Sequence, residues 1–339
     1  MHVLRRAAVM VAVASLLVAS PASSALTNPE RARRAVGYLA SQQEPNGSIP
    51  AFSPVGSTAD AVLSMVAANR GDRNIRRALN YLDRQVRQSN VTGIGLTAKV
   101  AMAAFAGGRN PRDFGGENLI FAIRSSEEQD GRYGVTTPVF DDALAMLALE
   151  AVGVSPSSSA RDWLLDAQCT DGGWQFDEPS AVTDDQHCHD TLSPGTDFFD
   201  SDTNTTALAT MALIEAGSAP PDVDPFVFFV DIRDSQFRGW GYTWGFDTTD
   251  ANSTALVIQA YAADGRELPM GAMAALKALQ YSRCGAFAYS WMGNGMGGFA
   301  RTGPDTGATI GGILGLLRRP FPVARRNVTR DAPEVQPCP

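Results

Sequence analysis

Asp202-Thr203-Asn204-Thr205-Thr206-Ala207-Leu208 returns as Asp250-Ala251-Asn252-Ser253-Thr254-Ala255-Leu256, at a constant offset of 48 residues. Each copy opens on a carboxylate and runs into small apolar residues. That is how a helix starts when an acidic side chain caps its open N–H groups. Working outward, the same opening recurs in looser form at Thr58-Ala59, Thr97-Ala98, Asp142-Ala143 and Ala308-Thr309, which makes six units. The segments that follow, such as 60–68, 142–152 and 205–216, are apolar on nearly every side and so should be buried all round. The helical segments before them (32–42, 75–86, 117–126, 160–168) carry apolar residues at three-to-four spacing and keep a polar face. Alternation of half-polar and fully apolar helices fits two concentric rings. Gly107-Gly108, Gly153, Gly217 and Gly265 fall just past second helices, where a left-handed cap favours glycine. The expected fold is all-α: six helical hairpins, about twelve helices, closed into an α/α toroid (an α6/α6 barrel), with an open solenoid as the alternative.

The chain has 339 residues, 44% of them hydrophobic, enough for one large core, and a formal charge of -8 that argues against nucleic acid as a partner. Residues 1–25 read as an export signal. Arg5 and Arg6 lead an apolar run over 7–19, shorter than the ~20 residues a spanning helix needs, and Ser23-Ser24-Ala25 offers small residues for cleavage. No later stretch is long and apolar enough to span a membrane, so the expected location is secreted or extracellular. The toroid is assigned to 26–320 and a C-terminal tail to 321–339.

Four cysteines in an exported chain point to two bridges. The expected pairs are Cys169 with Cys188, closing a polar loop, and Cys284 with Cys338, pinning the tail. A zinc site at Cys188 would need the flanking His187 and His189, and adjacent residues do not easily share one tetrahedral centre. The acidic run 184–190 is either a solvated loop or a calcium site. No metal and no cofactor are expected.

Gln168-Cys169-Thr170-Asp171-Gly172-Gly173-Trp174 resembles the Gln-x-x-x-Gly-x-Trp signature of the prenyltransferase and squalene-cyclase repeat, with weaker copies at 43–49 and 127–133. Arg238-Gly239-Trp240 keeps only the turn. The likeness spans about 27–319. It implies the toroid of terpene cyclases, protein prenyltransferase β subunits and cobalamin carriers. In that motif the Gln amide should bond helix ends and the Trp should cover the next hairpin. The cyclases it resembles carry an Asp-x-Asp-Asp-Thr-Ala-like run whose middle Asp protonates the substrate. Here Asp202 and Asp250 match the first Asp, while Asn204 and Asn252 fall on the proton donor, and an amide cannot serve as a strong acid. Asp200 lies two residues out of register. No catalytic residue is therefore expected, and Asp202 and Asp250 read first as helix caps.

Aromatic residues alternate in the later turns: Trp174 and Phe176; Trp240, Tyr242, Trp244 and Phe246; Phe287, Tyr289 and Trp291, then Met292 and Met296. Alternation implies extended segments with one aromatic face at one end of the ring, either plugging it or lining a pocket. Trp174, Phe176, Asp202, Trp240, Tyr242, Trp244, Asp250, Tyr289 and Trp291 are the candidate ligand-binding residues. The leading expectation is a secreted, non-catalytic toroid that holds a bulky apolar or cyclic small molecule in an end cavity, as cobalamin carriers do, or an isoprenoid. The alternatives are an isoprenoid enzyme with a displaced acid and a surface module that binds a protein or a glycan.

Overall fold

The computed structural model describes residues 26–135, 137–177, 200–243, 245–246, 248–295 and 297–339. The segment 1–25, the run 184–190, Cys188, Trp244 and Met296 lie outside the described residues. Twelve helices alternate between two rings among the described residues. The outer ring holds α1 (Asn28–Ser41), α3 (Asp72–Arg87), α5 (Leu119–Arg124), α7 (Ser158–Asp166), α9 (Pro225–Asp231) and α11 (Ala272–Ala278). The inner ring holds α2 (Pro54–Ala67), α4 (Ile94–Ala106), α6 (Val139–Ala151), α8 (Thr203–Glu215), α10 (Ala251–Ala263) and α12 (Thr306–Leu317). Inner helices pack side by side in chain order, and α12 returns onto α2 while α1 seats on α12, so the ring is closed rather than an open stack. The α/α toroid is therefore the observed fold. It carries four short strands, β1 (Phe287–Ala288), β2 (Trp291–Gly293), β3 (Phe299–Arg301) and β4 (Pro304–Asp305), paired antiparallel as β1–β4 and β2–β3.

One device repeats at the turn between outer and inner helix. The N–H of the residue two past the turn glycine, or its equivalent, donates to a side chain in the first turns of the following inner helix. The pairs are Ile49 to Thr58 Oγ1 (2.9 Å), Tyr133 to Asp142 Oδ1 (2.7 Å), Trp174 to Thr206 Oγ1 (2.8 Å), Trp240 to Thr254 Oγ1 (3.0 Å) and Phe287 to Thr309 Oγ1 (2.9 Å). This explains the Thr-Ala openings. The threonine satisfies a buried backbone donor that would otherwise carry a desolvation penalty. The second hairpin is the exception, since residues 88–93 join α3 to α4 without a copy of the turn.

The Gln of the motif ties neighbouring hairpins together. Gln168 Nε2 donates to the Gly172 carbonyl at 3.0 Å and to the Val223 carbonyl at 2.7 Å, just before α9. Gly172 adopts φ +88°, a conformation that costs glycine little. The Trp faces the next hairpin, where Trp174 shares a depression with Leu213 of α8 and Phe226 of α9, and its indole N–H is tied back to its own outer helix. Trp174 Nε1 donates to Leu164 O (2.8 Å) and Trp240 Nε1 to Phe229 O (2.6 Å), in the last turn of their own outer helices, where carbonyls lack helical partners.

Beyond α12 the tail crosses the ring. Phe321 is buried, Arg326 N–H donates to Ala106 O (3.2 Å), and the Arg330 carbonyl accepts from Gly71 and Asp72. A disulfide joins Cys284 to Cys338. Cys169 is also disulfide-bonded, and its expected partner Cys188 lies outside the described residues.

Candidate functional site

The inner helices open a central cavity of about 310 Å³ at their N-terminal ends. Each inner helix contributes one face to its wall, as in Asn252, Leu256 and Gln259 of α10 at i, i+4 and i+7. Most of the lining is apolar, including Met102, Phe140, Leu144, Leu208 and Ile310, and Phe321 of the tail contributes from between the helices. Into this surface project a few polar groups, almost one per helix: Asp60, Lys99, Asn204, Asn252 and Gln259.

Their states differ. Lys99 Nζ lies 2.9 Å from Asp60 Oδ2 and 5.9 Å from the Phe140 ring centroid. Asp141, in the first turn of α6, packs against the first turn of α4, where a Cβ at Gly95 would collide with its carboxylate. Burial raises the Asp141 carboxyl above its usual range, and Lys99 partly offsets this. Gln259 is 1% exposed. Its Nε2 donates to Ala255 O at 3.1 Å, and its Oε1 has no partner among the described residues. Asn204 Oδ1 also lacks one. Buried acceptors of this kind cost stability unless a ligand or water donates to them. Among the described residues, no group of three or more His, Cys, Asp or Glu side chains is placed to hold a metal ion.

None of the eight described candidate ligand residues lines this cavity. Trp174 and Trp240 are wholly buried between the rings. Asp202 caps α8, accepting from Asn204 and Thr205 N–H (2.9 and 2.8 Å), and Asp250 caps α10, accepting from Ser253 N–H at 2.8 Å. Burial pushes Asp202 up to about 7 and Asp250 up to about 6. Tyr242 and Tyr289 serve through their backbones. Their carbonyls accept from Thr203 and Ala251 N–H (both 2.8 Å), so each of these inner helices starts between its own turn and the next. Trp291 stacks on Phe237 at 5.0 Å in the β2–β3 hairpin. Phe176 comes nearest in role, with its ring 5.8 Å from that of Phe140. In the sequence Asn204 and Asn252 stand out only as amides on the proton-donor position, and Asp60, Lys99 and Gln259 belong to no repeated motif. A charged or amide side chain inside an otherwise apolar helix, as at Asp60, Lys99 and Gln259, is the signal that marks them.

No protein family matches the chain, and no curated protein matches it in sequence. Solved structures do match in fold. An unsaturated glucuronyl hydrolase specific for heparin aligns with TM-score 0.58 at 12% identity, over 86% of this chain and 96% of its own. An inactive variant of the α-1,6-mannanase of Salegentibacter sp., in complex with α-1,6-mannotriose, aligns with TM-score 0.53 at 9% identity, over 86% and 98%. Haptocorrin in complex with Cbi aligns with TM-score 0.50 at 13% identity, over 88% and 69%.

These neighbours correct the leading expectation of a non-catalytic carrier for a bulky apolar or cyclic ligand, and the isoprenoid enzyme with it. Proteins that act on glycans predominate among them, so the glycan-interaction alternative agrees better. The cavity agrees too. About 310 Å³ is the low end for small-molecule pockets, roughly 300–1,000 Å³. No described helix is long and apolar enough to cross a membrane.

Proposed function

We propose that this chain is a glycan-binding toroid that receives a sugar ring in the central cavity. The carrying observation is that Asp60, Lys99, Asn204, Asn252 and Gln259 bring polar side chains to one otherwise apolar cavity, where Gln259 Oε1 and Asn204 Oδ1 are buried without a donor among the described residues. A pyranose offers hydroxyl groups to such polar side chains and a C–H face to Phe140 and Met102. The Asp60–Lys99 pair adds a charge-assisted acceptor and donor. Glycan-acting proteins of the same fold support the reading. Residues 1–25 act as the export signal, 26–320 as the toroid and 321–339 as the tail, which puts a bridged protein where disulfides persist. The turn motif of Gln168 and Trp174 belongs to the squalene-cyclase type of repeat, here kept for its hydrogen bonds.

Calorimetric titration with neutral mono- to tetrasaccharides tests this. Binding weakened at least tenfold by Asn204→Leu supports it, and heat-silent titrations with every sugar refute it.

One observation favours a hydrolytic form of the same site. Asp141 is a carboxyl raised by burial, and it feels the charge of Lys99, the same ammonium that pairs with the Asp60 carboxylate. Glycoside hydrolysis uses one proton-donating and one ionised carboxyl. The mannanase variant is described as inactive with two consecutive aspartates replaced by asparagine, and this chain also carries consecutive aspartates, Asp141 and Asp142. Release of reducing ends, lost in Asp141→Asn and Asp60→Asn, supports hydrolysis; binding without release leaves a lectin.

A further inference from the structure

Phe52 is 90% exposed, the most exposed large hydrophobic side chain among the described residues. It precedes α2, and its ring reaches across to Gly307 at the start of α12, where an added Cβ would lie 3.7 Å from the ring edge. It therefore spans the seam where the first and last hairpins meet. One side of it belongs to the central cavity. The other side belongs to a second, shallower groove of about 400 Å³ that runs along the seam past Tyr38, Gln42, Pro50, Pro304, Asp305 and Thr306. Ala51 and Phe52 are common to both depressions.

Solvent-exposed aromatic surface costs free energy unless something covers it. The chemistry on either side says what. The seam groove offers an amide, a hydroxyl and a carboxylate beside two prolines and a tyrosine ring, with no cationic side chain. In the cavity, Lys99 is committed to Asp60. A uronate or sulfated sugar would meet the Asp305 carboxylate without a counter-charge. A neutral ring meets hydrogen-bonding partners and flat apolar walls in both places.

We propose that Phe52 is the shared wall between two sugar subsites, so that the preferred ligand is a neutral oligosaccharide of at least two rings. One ring sits in the central cavity and the next stacks over Phe52 into the seam groove. This rests on the glycan reading of the cavity and adds length, charge and direction to it.

Titration calorimetry on the full-length secreted protein tests it, with glucose, maltose and maltotriose, and mannose, α-1,6-mannobiose and α-1,6-mannotriose, as probes. A disaccharide ending in glucuronate is the charged control. In one of the neutral series the disaccharide should bind about tenfold tighter than the monosaccharide, the scale of one aromatic stacking contact. In Phe52→Ala that ratio should fall to about two, while Phe52→Trp should keep it. The side chain is exposed, so neither variant removes core packing. A monosaccharide bound as tightly as its disaccharide, a ratio unchanged in Phe52→Ala, or a uronate disaccharide bound as well as the neutral one would overturn the two-subsite inference and leave the cavity reading intact. Failure of every sugar to bind would overturn both.

Discussion

Gln280 and Arg31, at opposite ends of the toroid's sequence, hold each other twice: Gln280 Nε2 donates to the Arg31 carbonyl and the Arg31 guanidinium donates to Gln280 Oε1, each at 3.1 Å. The same carboxamide also donates to Gly285 O at 3.0 Å. Its counterparts do the same work one hairpin earlier or later, as Gln43 does with Asn74. Gln280 reaches from the last turn to the first helix, and Arg34 adds a bond to the Ser282 carbonyl at 2.7 Å, so this turn helps to close the ring.

Gln280→Leu should therefore weaken the whole fold. It leaves the Gly285 carbonyl and part of the Arg31 guanidinium without these partners at a part-buried site, which costs about 2 kcal/mol. Thermal denaturation should show a fall of several degrees. An unchanged Tm would mean that the seam is held elsewhere.

Stability should decline as pH rises from about 4 to about 7. Asp202 and Asp142 are pushed up to about 7 and Asp250 to about 6 by burial, whereas an unfolded aspartate titrates near 3.9. Across that window the folded chain holds protons that the unfolded chain has lost. The stability they contribute is thus complete below the unfolded value and is lost as pH climbs through the folded one. Asp202→Asn keeps a capping side chain and removes one titration, so urea midpoints should vary less with pH in the variant. A steeper dependence there would reverse the assignment.

Phe321→Ala should cost about 3 kcal/mol, because a buried ring is lost and the surroundings cannot fully collapse around the space. Since the ring also lines the central cavity, the variant should accept a bulkier probe there. Chemical denaturation gives the first number, and uptake of an apolar dye followed by fluorescence gives the second.

Lys99→Met should raise the Asp141 carboxyl further, since the ammonium is the cation that favours its ionised form. Carbon-13 shifts of the Asp141 carboxyl, followed through a pH titration, read this directly. An unchanged titration would place Lys99 too far away to matter.

The architecture was legible because it is written in repetition. The Asp202 and Asp250 openings, the Thr-Ala starts and the Gln168-to-Trp174 turn each serve a local hydrogen bond that most hairpins need, so they recur at readable intervals. The prominent aromatics misled for the same reason. Trp174 and Trp240 are conspicuous because a repeat unit requires them, and they are spent on the carbonyls of their own outer helices. The cavity obeys a different rule. Asn204 and Asn252 share the 48-residue repeat, but Asp60, Lys99 and Gln259 follow no repeated spacing, and all five meet only through ring closure. Phe52, a lone aromatic between Ala51 and Ser53, carries no pattern at all.

A pocket with one polar contributor from most of its staves exists in no fragment of the barrel. A chain that has laid down four or five hairpins has walls but no enclosure, and the finished vessel arises at the final docking of α12 on α2. A sugar held there would favour the assembled hoop over every partly built one, linking occupancy to survival of the whole molecule.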